Sequence, residues 1–374
     1  MPERLVPTHV ERSSYFVPAA LVVACLGAIG AGIYVYLQSS TLVLSPYRTV
    51  LEQLDANTLP ADFQKRQGAV QLLDQLRREP CDRAAITPLA KLMEEAGYPR
   101  EGARSAQNFG ERCGYDDELL EGAYAALTRV GDLTGAVSTA NRMIELDQAR
   151  GRYRFLRGTA YEGLKNYKAA LSDYISTLQL FTDLRNVAPT EFYRISRMYD
   201  AIGRPCDAVT PLEMYLSYYV ARRQTQQISQ MIKEFANKGS CRATYATGTD
   251  RIVIPNSNTV DVIINGARGR MIVDTGASMV SITPAFAARA RILPDETNPM
   301  TFQVVGGTVQ SAPGYAQLIQ LGNARAVNVP VAVSTGNEAA FGPQIDGLLG
   351  MTFLARFDVT LANGTLELKP RVLN

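Results

Sequence analysis

Through its middle third this chain repeats itself every 34 residues, and that period constrains its fold more than any other feature. Met93, Leu127 and Tyr161 stand 34 apart, as do Gly97, Gly131 and Lys165, then Gly102, Ala136 and Ala170, then Ala106, Ala140 and Tyr174. A helical pattern with this period is a stack of helix-turn-helix units. The clearest copy runs from Leu156 to Tyr161, then Leu164 to Tyr167, then Ala170 and Leu171. Its small residues let helices approach closely, while its tyrosines and leucines fill the seam between them. A fourth copy follows at an offset of 38 through Tyr199, Gly203, Ala208 and Leu212. The four extra residues predict a longer connection around Phe181 to Thr190, where Pro189 sits. The first copy lacks the large aromatics, and Pro99 with Arg100 disturbs its spacing, so it reads as a degenerate or capping unit.

The 34-residue unit resembles the tetratricopeptide repeat. Residues 50–240 are therefore expected to form an all-α solenoid, in which each unit buries a core only against its neighbours. Such repeats imply a concave face for a peptide or protein partner; a spacer role is the plainer alternative. The repeat geometry also predicts cysteine pairing. Cys81 falls where the first helix of copy one begins and Cys113 where its second ends, at the same edge of an antiparallel pair. Cys206 opens the second helix of copy four and Cys241 closes the helix after it. Of three possible connectivities this selects Cys81 with Cys113 and Cys206 with Cys241; four free buried thiols are the alternative.

Chemistry concentrates further along. Asp274-Thr275-Gly276-Ala277-Ser278, entered by the apolar run Met271-Ile272-Val273, places a carboxylate on a tight turn leaving a strand. Thr259 to Ile264 alternates as a strand just before it, and Ile345 to Met351 carries two leucines running into Gly350. Thr301 to Thr308, with Gly306 and Gly307 and the returning Val309, has the signature of a hairpin.

In order and separation these elements resemble the retropepsin-like aspartic proteases, in particular the bacterial ones with a single Asp-Thr-Gly. The resemblance covers residues 250–374, expected to be all-β. It implies that Asp274 is catalytic, that Thr275, Gly276, Ala277 and Ser278 shape its turn, and that Thr275 bonds across a dimer axis. It further implies that Leu348, Leu349 and Gly350 pack behind the turn and that the Gly306-Gly307 hairpin is the flap. The chemistry needs two facing carboxyl groups sharing one proton. One motif in about 125 residues supplies only half, so a homodimer acting on a protein or peptide substrate is expected. Asp346 lacks a following Thr-Gly and reads as structural. The competing reading of Asp274 is a turn residue in an inactive relative, whose domain serves dimerisation while the repeats bind a partner.

Composition excludes other classes. The single histidine, His9, precedes the apolar segment, so no histidine-based triad or HExxH zinc site exists beyond it. No cofactor or metal is expected. A formal net charge of +2 without a long basic block gives no reason to invoke nucleic acid. A Ser-Lys dyad has no motif behind it. Residues 13–47 hold no charged side chain, and Tyr15–Leu37 is a 23-residue apolar stretch, long enough for a transmembrane helix. Arg4 and Arg12 precede it and Arg48 follows, which puts residues 1–14 in the cytoplasm. A cleaved signal peptide and a lipoprotein signal ending at Cys25 are the alternatives. With residues 38–49 and 241–249 as linkers, the expected layout is a single-pass inner-membrane protein whose repeats and protease domain face the periplasm, where four cysteines beyond the span can oxidise.

Overall fold

A computed structural model describes residues 46–181, 184–218, 223–241, 245–254, 258–304, 307–335 and 341–371. The apolar segment Tyr15–Leu37 lies outside them; among the described residues no helix is long and apolar enough to cross a membrane. The chain is multi-domain, with a helical repeat region followed by a β-rich one.

Three short helices, α1 (Arg48–Gln53), α2 (Ala61–Gln64) and α3 (Gln67–Arg78), lead into four helix pairs. These are α4 (Arg83–Glu95) with α5 (Pro99–Cys113), α6 (Asp117–Arg129) with α7 (Leu133–Leu146), α8 (Gly151–Gly163) with α9 (Tyr167–Gln179), and α10 (Pro189–Ala201) with α11 (Pro205–Tyr218). A last helix, α12 (Gln226–Gly239), closes the stack. First helices begin at Arg83, Asp117 and Gly151, 34 residues apart, and Pro189 comes 38 later. The extra length holds a 3-10 turn at Leu184–Asn186.

The repeat is written into its turns. Gly97, Gly131, Lys165 and Gly203 occupy equivalent places between paired helices, all left-handed, with φ of 91°, 73°, 59° and 79°. Glycine reaches that region freely, whereas Lys165 carries the cost of a Cβ there. In the second and third units the next residue caps the following helix: Asp132 accepts from Gly135 N at 3.0 Å and Asn166 from Ala169 N at 3.4 Å. Pro99, whose spacing looked disruptive, is the first residue of α5, where the missing N–H is one the helix leaves unbonded anyway. Disulfides join Cys81 to Cys113 and Cys206 to Cys241, the two pairs that the repeat spacing predicts.

The β-rich region holds two sheets. In the larger, strands β2 (Thr259–Ile264), β3 (Ala267–Val273), β4 (Val280–Ile282), β5 (Met300–Val304), β6 (Gly307–Leu321), β7 (Ala324–Ser334) and β8 (Gly347–Leu349) run in the order β2-β3-β8-β4-β7-β6-β5. The 15-residue β6 is long enough to pair with β5 at its start and with β2 near its end, so the sheet curls onto itself. Strands β1 (Asp250–Val253), β9 (Phe357–Ala362) and β10 (Thr365–Pro370) form a smaller sheet in the order β1-β10-β9. Two short helices, α13 (Pro284–Arg289) and α14 (Met351–Leu354), cover the larger one.

The cores divide differently from the sequence regions. One apolar cluster runs from Tyr47 to Ala160 and serves the early repeats. The other runs from Ala170 to Leu368, so α9 to α12 share a single core with the β-rich region. The stretch 241–249, expected as a linker, packs against the β-rich region where it is described: Tyr245 is buried, and Thr247 exchanges backbone hydrogen bonds with Arg325 at 2.9 and 2.8 Å. A buried guanidinium seals the seam. Arg356 donates to Val327 O at 2.7 Å, to Tyr245 O at 3.2 Å and to Asp207 Oδ1 of α11 at 3.3 Å. Arg371 pairs likewise with Glu213 of the same helix. Burial pushes the Asp207 and Glu213 carboxyls up, with the neighbouring arginines pulling the other way.

Candidate active site

Strand β3 delivers Asp274, and the sheet fixes where it emerges. Beside β3 runs β8 in parallel, with Ile272 opposite Leu348 and Val273 opposite Leu349. Asp274 N donates to Leu349 O at 3.2 Å, extending the ladder by one residue before the chain turns. The carboxylate then folds back over its own turn: Oδ1 accepts from Gly276 N at 2.8 Å and from Ala277 N at 3.2 Å. Two backbone donors fix that oxygen, an arrangement that short side chains of Asp make readily at turns. Thr275 and Gly276 are exposed at the tip, while Ala277 is half-buried and Ser278 is buried.

Behind the turn the chain passes so closely that only glycine fits. A Cβ on Gly350 would meet Met279 O at 2.1 Å and Ala277 O at 2.7 Å; one on Gly347 would meet Ser281 O at 2.0 Å. Met351 N donates to Ala277 O at 2.8 Å, and Val280 N to Thr352 Oγ1 at 2.9 Å, so α14 holds both ends of the turn. Leu348 and Leu349 alternate about the strand: Leu349 is fully buried, and Leu348 lines the cleft above Asp274. Leu348, Leu349 and Gly350 thus lie directly behind the Asp274 turn.

A hairpin forms over the site as β5 and β6, with Val304 opposite Gly307. Gly306 lies outside the described residues, and Gly307 is the first residue of β6. Phe302 and Val309, opposite each other on the two strands, line the same cleft as Asp274. That cleft encloses about 490 Å³, in the range of small-ligand and peptide sites. Among its described lining residues Asp274 is the one ionisable side chain.

Asp346 is committed elsewhere. Its Oδ2 accepts from Arg270 N at 2.9 Å and its Oδ1 from Arg289 Nη2 at 2.5 Å, while Thr283 N donates to its carbonyl at 2.9 Å. It ties β3, β8 and α13 together and does not face Asp274.

The sequence alone did not reveal what the repeats contribute. Ser172, Ser176 and Gln179 of α9 fall at i, i+4 and i+7, on one stripe of the helix. Ser172 Oγ donates to Pro299 O at 2.6 Å, Ser176 Oγ accepts from Thr301 N at 2.8 Å, and Gln179 Nε2 donates to Ser278 Oγ. One helix therefore bonds the base of the hairpin and the end of the Asp274 turn. Beyond Gln179, Phe181 and Leu184 also line the cleft. The structure marks this docking by burying α9 continuously from Ala170 to Leu178, polar residues included, where a repeat helix normally keeps a wet face; the trace of it in the sequence is that Asp173 is the one charged residue between Ala169 and Leu180. A second cavity of about 190 Å³ between the two regions lies near Lys168 and Asp295. Its one carboxylate is occupied by Thr297 and Asn298, whose hydrogen bonds hold the Asp295 carboxyl below the usual range.

Residues 260–353 match the sequence model of the aspartyl protease family, so the β-rich region carries a domain of that family. A search of curated proteins gives no match to the chain. Among solved structures, a retropepsin-like aspartic protease from Rickettsia conorii is similar at 23% identity and a TM-score of 0.26, over 32% of this chain and 98% of that one. MamA is similar at 16% identity and a TM-score of 0.35, over 48% of this chain and 95% of its own. YrrB, described as a TPR protein with an unusual peptide-binding site, is similar at 14% identity and a TM-score of 0.35, over 50% of this chain and 98% of its own.

Proposed function

We propose that the chain is an aspartic endopeptidase whose catalytic dyad is Asp274 from two copies. The observation that carries this reading is the Asp274 turn itself: an oriented carboxylate, backed by Gly350, in a cleft roofed by a hairpin and with no other acid or base among its described lining residues. The exposure of Thr275 and Gly276 supports it, because the tip of the turn is open to a partner copy.

In such a pair the two carboxyl groups share one proton, since like charges that close cannot both ionise. The ionised Asp274 takes a proton from a bound water as the water oxygen attacks the scissile carbonyl carbon. The protonated Asp274 gives its proton to the carbonyl oxygen, leaving a neutral tetrahedral diol. Breakdown reverses the roles: a carboxyl protonates the departing nitrogen as the C–N bond breaks, and a new carboxylic acid and amine leave. The pair titrates as a unit, so activity follows its two apparent pKa values rather than that of either copy.

Tyr15–Leu37 anchors the enzyme in the inner membrane with its remainder in the periplasm. Two disulfides in the repeat region fit an oxidising compartment. The repeats position a protein substrate or partner, and a cleft of about 230 Å³ over the early helices, lined by Lys91, Glu94 and Glu118, is available for it.

The test is hydrolysis of a peptide library by the full chain and by Asp274→Asn. The substitution is expected to lower turnover at least a hundredfold while sedimentation still shows a dimer and the melting temperature is unchanged. Equal turnover in both proteins would overturn the assignment.

A further inference from the structure

From the packing of α9 against the cleft, we propose that the helical repeats form part of the substrate-binding site, with Phe181 as a specificity-determining residue for a bulky, uncharged side chain of an extended peptide. The proposal rests on the endopeptidase reading but reaches beyond it, since it places a subsite outside the domain that carries the catalytic turn.

Three observations converge. First, the position of α9 is fixed relative to the reacting group. Ser176 bonds Thr301 at the hairpin and Gln179 bonds Ser278, four residues after Asp274, so a single helix spans both walls of the cleft. Asp173 on the same helix takes two hydrogen bonds from Arg157 of α8, at 2.8 and 2.6 Å, which locks α9 to its own repeat. The wall is therefore as rigid as the repeat stack behind it.

Second, three apolar side chains at and just beyond the end of α9, Leu178, Phe181 and Leu184, line the same cleft as Asp274. Leu178 and Leu184 are buried, whereas Phe181 keeps 43% of its surface exposed. A large aromatic left that open beside a cleft is uncovered surface that a ligand can bury. Phe302 of β5 and Phe341 line the same cleft, so three aromatic side chains border it.

Third, the described lining offers no charge to pair with a charged substrate group other than Asp274 itself. Burying an unpaired charge against that described lining is costly, which favours an uncharged apolar side chain beside Phe181. Gln179, Gln303 and Ser311 leave hydrogen-bonding groups along the edges for a peptide backbone.

The experiment measures binding as well as cleavage, so that it reports on the subsite even where hydrolysis is absent. Fluorescent peptides with a reduced, uncleavable bond, each varying one position among Phe, Leu, Ala, Lys and Glu, are titrated against the full chain and its Phe181→Ala variant. Cleavable versions are profiled in parallel. With Phe181 at 43% exposure, the substitution leaves the fold intact, which the melting temperature checks. The expected result is that peptides with Phe or Leu at one particular position bind the variant about tenfold more weakly. Peptides with Ala there lose nothing, and cleavage preference shifts at that position alone. Selective loss of binding without any cleavage by the parent chain would remove the endopeptidase reading and keep the subsite. Equal affinities in the two proteins, a uniform loss at every position, or no binding to either would overturn the proposal.

Discussion

At the scale of single residues the site depends on close backbone approaches more than on polar contacts. Gly350 lets two chain segments pass where a methyl group would sit 2.1 Å from Met279 O, inside any allowed contact. Gly350→Ala must therefore displace either β8 or the turn that carries Asp274. We expect a loss of about 2 to 3 kcal/mol, read from chemical denaturation, together with loss of turnover. An unchanged stability would mean that the turn is softer than the packing implies. Asp274 and Gly350 were legible in the sequence because a tight turn and a close crossing restrict residue type locally. Gln179 was not, since a glutamine near the end of a helix carries no mark of its partner, and Ser278 lies 99 positions away.

At the scale of elements the repeats are legible because the left-handed turn between paired helices recurs from unit to unit. Lys165 is the exception that tests this account, being a lysine at φ 59° where the equivalent positions hold glycine. Relieving its left-handed strain by Lys165→Gly should stabilise the chain by about 1 kcal/mol, seen as a higher denaturation midpoint; a destabilised variant would contradict the strain argument. Less legible was the docking of α9. Periodicity reports which face of a helix is apolar, whereas this helix is bound through Ser172 and Ser176, residues that helical pattern assigns to water. The hairpin β5-β6 was readable from its glycines; its attachment to a helix more than a hundred residues earlier was not.

At the scale of the whole molecule, the division of cores changes the picture of repeats joined by a linker to a protease. The later helices and the β-rich region share one core and a buried seam of Arg356 with Asp207 and Arg371 with Glu213. Burial raises both carboxyl pKa values in the folded chain. A raised folded value means that these groups contribute most below their unfolded pKa, and that the contribution fades as pH rises through the folded value. Acidification from pH 7 to pH 5 should therefore not open the seam, and the melting temperature at pH 5 should be no lower than at pH 7. A clear drop over that interval would show that the ionised pairs hold the two regions together. Composition could not reveal this seam, because its four charged residues look like ordinary surface charges until the fold buries them. Completion of the site by a second copy is tested directly by subunit mixing. Wild-type chain is equilibrated with a ninefold excess of Asp274→Asn chain, and peptide turnover per wild-type chain is followed. If each site needs one Asp274 from each copy, most wild-type chains pair with inactive partners and turnover falls about tenfold; turnover unaffected by the excess would contradict it.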